Sequence, residues 1–190
     1  MEYEKEDLEK ALNTLRQGGV ILYPTDTVWG LGCDATNDDA VKRIFEIKNR
    51  CDAKSMLCLA DDMNRVYDYV ENIPDMAYDI DEMAIRPVTI IYDKARNLSK
   101  NLISSDGSIG IRVTREQFSK ELCRRLGKPV VSTSANISGE KAPSFFNEVS
   151  EQIKNAVDYV VEYRRDDYTP SSPSQIIKLK SNGEVKVIRQ

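Results

Sequence analysis

Residues 20–32, VILYPTDTVWGLG, begin as a strand and continue as something a strand does not explain. Val20 to Tyr23 is an apolar run of the length and composition of a buried strand. Pro24 ends it, because proline has no N–H to give a ladder. Thr25, Asp26 and Thr27 follow, then Trp29, the only tryptophan, and Gly30-Leu31-Gly32. Gly30, Gly32 and Ala35 fit the relaxed dinucleotide-binding pattern G-x-G-x-x-A, and Asp52 stands at the expected distance. That pattern requires its first glycine at the end of a strand that opens directly into a helix. Here six residues separate Tyr23 from Gly30, and the next helix-capping signal is Asn37 or Asp38. The spacing therefore argues against a Rossmann site, and no G-x-x-x-x-G-K-[ST] phosphate loop exists. The hydroxyls and the carboxylate read instead as the rim of a pocket. Asp26 and Thr27 shape the turn, Trp29 walls the pocket or the core, and the glycines permit close backbone packing.

Working outward, strand and helix signals alternate. Leu8, Ala11, Leu12 and Leu15 recur at helical spacing before Gly18-Gly19. Asn37 or Asp38 caps a helix with the inner stripe Val41, Ile44 and Phe45. Met56–Ala60 reads as a strand, Met63, Val66, Tyr67 and Val70 as a helix, and Pro87–Tyr92 and Ser108–Val113 as strands. Phe118, Leu122 and Leu126 mark a helix stopped by Gly127, and Val130-Val131 a short strand. Val149, Ile153 and Ala156 mark one more helix. Strands near 175–179 and 184–188 flank Ser181-Asn182-Gly183, a hairpin turn. The expectation is one α/β domain over residues 1–190, a twisted mixed β-sheet flanked by helices. Arg164–Ser174 is the one long polar loop, either a surface loop or a lid.

Composition limits the chemistry. Histidine is absent, which removes the commonest general base and metal ligand together. Four cysteines form no C-x-x-C pair, which argues against a zinc site. Net charge is −4, against a chain whose main partner is bulk nucleic acid. The charged N-terminal stretch is no signal peptide and no apolar run reaches membrane-spanning length, so a cytoplasmic protein is expected.

Three more stretches carry chemistry. In EIKNRCDAKS, residues 46–55, the helical stripe continues onto Lys48, with Arg50 and Lys54 close behind. Lys48 either snorkels out beside the negative helix terminus or joins a polyphosphate clamp, and the two readings weigh equally. In PVVSTSANISGEKAPS, residues 129–144, an apolar strand runs into Ser132, Thr133, Ser134, Asn136 and Ser138. That density of hydroxyl and amide groups exceeds what a cap needs and suits an anion. In GSIGIRVT, residues 107–114, alternation places Arg112 opposite Ile111 and Val113. It is either on a solvent face or a planar donor fork for a carboxylate or phosphate, and the pattern leaves both open.

Pro24-Thr25-Asp26-Thr27-Val28-Trp29-Gly30-Leu31-Gly32, then Lys48-Asn49-Arg50, Gly110-Ile111-Arg112 and Ser132-Thr133-Ser134-Ala135-Asn136-Ile137-Ser138-Gly139 together resemble the YrdC-type threonylcarbamoyl-adenylate synthases, in their single-domain form. The resemblance runs from about Gly18 to the C-terminus. It implies an enzyme that joins L-threonine, bicarbonate and ATP, with Mg²⁺, into threonylcarbamoyl-AMP and pyrophosphate. A downstream transferase complex then moves the threonylcarbamoyl group onto tRNA, and weak RNA binding is a further expectation. By resemblance, Lys48, Arg50, Ser134 and Asn136 hold the ATP phosphates and the reacting centre, with Ser144 and Arg189 near the nucleotide. Thr25, Arg112 and Ser174 hold threonine. An anionic N-carboxylate nucleophile needs no histidine base, so the composition agrees. Two other functions compete: a non-catalytic RNA-binding or ribosome-associated module on this fold, and a sister enzyme with another carbamoyl- or acyl-adenylate substrate. The sequence departs from the family where many members carry Trp-Pro-Gly-Pro-x-Thr. Ala84-Ile85-Arg86-Pro87-Val88-Thr89 stands there, and Cys51 and Ser55 replace common prolines. These departures bear on pocket-wall shape and loop stiffness.

Overall fold

The structure, a computed structural model, describes residues 2–49 and 56–190. The helix α1 (Lys5–Arg16) buries Leu8, Ala11, Leu12 and Leu15 on one stripe, and Gly18, at φ +77°, turns the chain out of it. It leads into β1 (Ile21–Tyr23), a turn, and β2 (Gly30–Gly32). Asn37 caps α2 (Asp38–Ile47) by accepting from the amides of Asp39 and Ala40. Then come β3 (Leu57–Ala60), α3 (Met63–Tyr67) capped by Asp62, α4 (Met76–Met83), β4 (Val88–Tyr92) and β5 (Ile109–Val113). Glu116 caps α5 (Gln117–Leu126), which Gly127 closes at φ +72°. The remaining elements are β6 (Val130–Ser134), a 3₁₀ turn at Phe146–Glu148, α6 (Glu151–Ala156), β7 (Tyr159–Val160), β8 (Gln175–Leu179) and β9 (Val185–Arg189).

Among the described residues nine strands form one mixed sheet in the order β7-β1-β2-β6-β3-β5-β4-β8-β9. β1–β7, β3–β5 and β4–β8 are parallel pairs and the rest antiparallel. Strand alternation divides the core between two faces. Ile21, Tyr23, Leu59 and Val130 pack under α1 and α5, against Leu8, Leu12, Phe118 and Leu122. Val20, Leu22, Leu31, Cys58, Ile90, Ile111 and Val131 form the other face with Val41 and Ile44 of α2, Val66 of α3 and Ile153 of α6. Each such leucine or isoleucine contributes about 1.5–3 kcal/mol by leaving water, before the entropy of ordering is set against it.

The mixed sheet and most elements stand where the periodicity places them. β6 is longer than the two residues expected and runs through Ser132 to Ser134, because its polar residues pair with β3 and β2 on either side. β2, β7 and α4 lie outside the sequence reading. Gly30-Leu31-Gly32 has glycine's weak strand preference, yet it is a buried strand whose glycines are needed for closeness. A Cβ at Gly32 would sit 2.6 Å from the Tyr23 ring and 3.0 Å from the Val131 carbonyl. α4 lacks the apolar stripe that announces a helix, since only Ala77 is fully buried in it.

Gly32→Ala is expected to destabilise the fold by about 1–3 kcal/mol through overpacking. Denaturant unfolding measures this as a fall in midpoint at unchanged slope. An unchanged midpoint would show that the sheet opens to accept the methyl group.

Candidate active site

Strand parity builds the site. On β5, Ile109 and Ile111 enter the core under α2, so Gly110 and Arg112 face the side of α1 and α5. Leu57, Ser132, Ser134 and Gly30 share that face by the same alternation. α1 and α5 pack over β1, β7 and β3. Further along the sheet this face bears glycines and hydroxyls and forms a cleft of about 240 Å³. Thr27, Gly30, Leu57, Arg112, Ser132, Ser134, Ser174 and Arg189 line it. The two readings of Arg112 are thereby resolved: at 3% exposure it does not face bulk solvent but reaches the cleft wall.

Asp26 and Thr27 meet Arg112. Asp26 Oδ1 lies 2.9 Å from a terminal guanidinium nitrogen, and Thr27 Oγ1 accepts from the same nitrogen at 3.4 Å. The ion pair is close but poorly aligned, so Asp26 Oδ1 and Arg112 Nε both lack a hydrogen-bond partner. Burial raises the Asp26 carboxyl above its ordinary range, with Arg112 pulling the other way. A planar cation steadied at one corner, with an unused N–H on its edge, is suited to grip a second carboxylate.

Hydrogen bonds order the opening turn. The Thr25 hydroxyl donates to Val28 O at 2.8 Å and accepts from the Thr27 amide at 3.1 Å. Thr25 thus holds the turn, while Thr27 reaches the cleft and Asp26 the arginine. Trp29 is buried in the core, its ring 4.8 Å from that of Phe146.

Lys48 is 2% exposed at the C-terminal cap of α2, so it does not snorkel. Its ammonium donates to the carbonyls of Ser134 and of Asn136, the latter at 2.7 Å, and its own carbonyl accepts the Ser138 amide at 3.0 Å. It therefore braces the turn after β6. Arg50 and Lys54 lie outside the described residues, as do Cys51, Asp52 and Ser55. In the braced turn the Ala135 amide is committed to Trp29 O and the Asn136 amide to Ser134 O. Hydroxyls rather than a nest of amides are thus what the turn offers. The Asn136 Nδ2 donates to Ile137 O and Glu140 O, while its Oδ1 is buried without a partner.

Ser174 and Arg189 meet at the far wall. Arg189 donates to the Ser174 carbonyl at 2.9 Å and to its hydroxyl at 3.2 Å, and that hydroxyl lies 2.9 Å from Thr89 Oγ1. Ser144 borders a narrow adjoining crevice with Thr25 and Thr27. The polar loop Arg164–Ser174 closes over the opening turn: Arg164 donates to Thr25 O at 3.0 Å, and the Ser171 hydroxyl to Thr27 O. It has the lid's position, and Pro173 and Ser174 carry it into the cleft wall. Thr27, Gly30 and Leu57 belong to the cleft but were not among the expected substrate-binding residues. Alternation from Ile109 and Ile111 was the available signal for that face, once both faces were known to be covered.

A somewhat larger hollow, about 280 Å³, lies beside α1 among Tyr3, Asp7, Glu162 and Tyr163. Its buried carboxylate, Asp7, already accepts from Tyr159 Oη and from the amides of Glu162 and Tyr163. The converging donors are in the other cleft. Among the described residues no three His, Cys, Asp or Glu side chains cluster as metal ligands. Burial pushes the Cys58 thiol up to about 12 and raises Cys33 and Cys123 as well, so these are packing residues.

A family model described as Telomere recombination, spanning the Sua5, YciO and YrdC proteins, matches residues 13–190. The chain belongs to the Sua5/YciO/YrdC family. It is 37% identical over 162 residues to a threonylcarbamoyl-AMP synthase of Pseudoalteromonas translucida, covering 84% of this chain and 87% of that one. It is 30% identical over 188 residues to the protein of that name from Vibrio parahaemolyticus, covering 97% and 99%. Among solved structures, P. abyssi Sua5 complexed with L-threonine matches with a TM-score of 0.84 at 23% identity, over 94% of this chain and 52% of that one. E. coli YciO matches with 0.83 at 24% identity, over 98% and 90%. The chain thus spans about half the length of the Sua5 protein. At these identities the two structures show that the fold is that of the Sua5/YciO/YrdC family. No described helix is long and apolar enough to cross a membrane.

For this family member, Lys48→Met should strand the carbonyls of Ser134 and Asn136. The expected loss is roughly 2–5 kcal/mol of stability, together with the activity of the cleft. A phosphate clamp with no structural role would instead leave thermal unfolding unchanged. A Lys48→Met protein that melts like wild type would contradict the brace.

Proposed function

We propose that this chain is an L-threonylcarbamoyladenylate synthase, converting L-threonine, bicarbonate and ATP into threonylcarbamoyl-AMP and pyrophosphate. The observation that carries the reading is the buried Arg112 fork in a hydroxyl-lined cleft, in a chain whose relatives bear that enzyme's name. The threonine carboxylate pairs with Arg112, beside Thr27 and Ser174. Ser134, Arg189 and Arg50 serve the nucleotide, Ser144 borders it, and Lys48 and Asn136 fix the turn that presents Ser134. Thr25 serves threonine by setting the position of Thr27.

The chemistry balances without a histidine. The threonine amine and bicarbonate condense to an N-carboxylate and water. A carboxylate oxygen then attacks the α-phosphorus, and the bond to the bridging oxygen of pyrophosphate breaks. The nucleophile is already an anion, so the protein's task is to align the two anionic substrates and neutralise their repulsion. Arg112 and Arg189 supply fixed positive charge across one cleft. None of the described cleft-lining residues is a carboxylate. Mg²⁺ would therefore be carried by the nucleotide phosphates, with the Ser132 and Ser134 hydroxyls among the protein oxygens that could hold it, and it would supply charge neutralisation at the triphosphate. The product is a mixed anhydride that hydrolyses readily in water, which calls for a tRNA-modifying transferase complex as consumer and for a cytoplasmic setting. Contact with RNA is confined to that step.

Pyrophosphate release from ATP, supplied with bicarbonate and Mg²⁺, should require L-threonine; release unaffected by omitting threonine would overturn the substrate assignment. Arg112→Ala should raise the threonine KM about tenfold or more, while the ATP KM changes by less than about twofold. Equal effects on both constants would remove Arg112 from the amino-acid end.

A further inference from the structure

One long stretch of this chain carries a large excess of negative charge. Residues 61–86 hold eight Asp and Glu against two Arg, a net −6 in a chain of net −4, so the remainder carries a net +2. The same stretch gathers exposed apolar side chains. Of the nine large ones exposed among the described residues, Tyr67, Met76, Tyr78, Met83 and Ile85 lie here, with Met83 at 80% and Ile85 at 99%.

The geometry of α4 orders them. Ala77 faces the core. On the outward side Asp75, Asp79 and Glu82 recur at i, i+4 and i+7 and stack into one ridge. Met76 and Met83 flank the ridge on one side and Tyr78 on the other. None of the three carboxylates has an ion-pair partner among the described residues. Like charges at i, i+4 disfavour an isolated helix, and exposed methionine and isoleucine gain nothing from water. The helix is held by its exit: Arg115 donates to Ala84 O at 2.7 Å and to Asp81 O. Beyond that exit, Ala84, Ile85, Arg86 and Val88 border a cavity of about 170 Å³ with Asp26, the partner of Arg112. Ile85 and Arg86 stand in the family's proline-rich stretch.

We propose that the outer face of α4 and its exit, Asp75 to Ile85, docks a second protein whose contact surface has an apolar centre ringed by Lys and Arg. Charge decides against the other occupants. A nucleic acid would bring phosphates onto the carboxylate ridge, and a second copy of this chain, meeting face to face, would oppose two such ridges. A basic partner removes both the repulsion along the ridge and the exposed apolar area. It would sit one cavity away from the Asp26–Arg112 pair. The proposal stands on this face alone, whatever the cleft synthesises.

The test uses a fluorescent amphipathic helical peptide with a leucine stripe flanked by Lys and Arg, titrated into the full chain by anisotropy and by amide NMR. Binding should perturb amides within residues 62–88 and weaken as salt rises. Replacing the peptide's leucines by serine should weaken it at least about tenfold, as should Met83→Ser with Ile85→Ser, or Asp79→Lys with Glu82→Lys, in the protein. Circular dichroism should show both double variants folded; should one unfold, the single Ile85→Ser variant, altering a fully exposed side chain, reads the same effect. Perturbations spread over other acidic surfaces would overturn the proposal, as would affinity indifferent to the leucines and to Ile85. Concentration-dependent self-association through this face, or binding of single-stranded RNA to it, would also overturn it.

Discussion

The Lys48 ammonium lies beneath the turn that follows β6 and donates to two successive carbonyl-bearing corners of it, Ser134 and Asn136. Burying a lysine costs several kcal/mol unless its donors are met, so the cation and the turn hold one another in place. The lysine arrives there because Val41 and Ile44 fix the rotation of α2, and the next turn of that stripe ends at residue 48. A helix stripe on one side of the sheet thus sets a loop at the end of β6, an interior strand. Ser134, Gly30 and the mouth of the cleft take their positions from that loop.

The second constraint is parity. A sheet covered on both faces reads as continuous apolar strands, and here that pattern breaks along one strip: Gly30, Thr89, Gly110, Arg112, Ser132 and Ser134. Glycine at 110 leaves room where a Cβ would come within 3.3 Å of Thr89 and 3.6 Å of Leu57. Hydroxyls and the guanidinium supply polarity at the same depth. The cleft is a designed interruption of the core on the face that α1 and α5 fill further along. Asp26 and the loop residues Arg164 and Ser171 bring the opening turn over its edge.

Much of this was legible in the residues. The Val20–Tyr23 strand, the cap at Asn37, the inward Lys48, the hydroxyl-rich end of β6 and the β8–β9 hairpin follow from period and turn chemistry. The glycine strand β2 was not, because its warrant is the proximity of Tyr23 and Val131, which no local pattern carries. α4 escaped for the opposite reason: Met76, Tyr78 and Met83 point outward, and only Ala77 and Ile80 turn to the core. The Thr25 hydroxyl closes the turn and Thr27 lines the cleft, a difference that two neighbouring threonines do not reveal in sequence. At Lys48 the sequence left snorkelling and a phosphate clamp open, and its bonds to the Ser134 and Asn136 carbonyls became visible only in the fold.

The central claim is that one cleft joins an amino acid, a one-carbon unit and a nucleotide. Mass spectrometry of the adenylate product formed from ¹³C-bicarbonate, L-threonine and ATP tests it most directly. The account predicts an AMP-linked threonine derivative whose new carbonyl carbon is stoichiometrically labelled. An AMP-linked product that lacks the label, or labelled product formed without threonine, would contradict it.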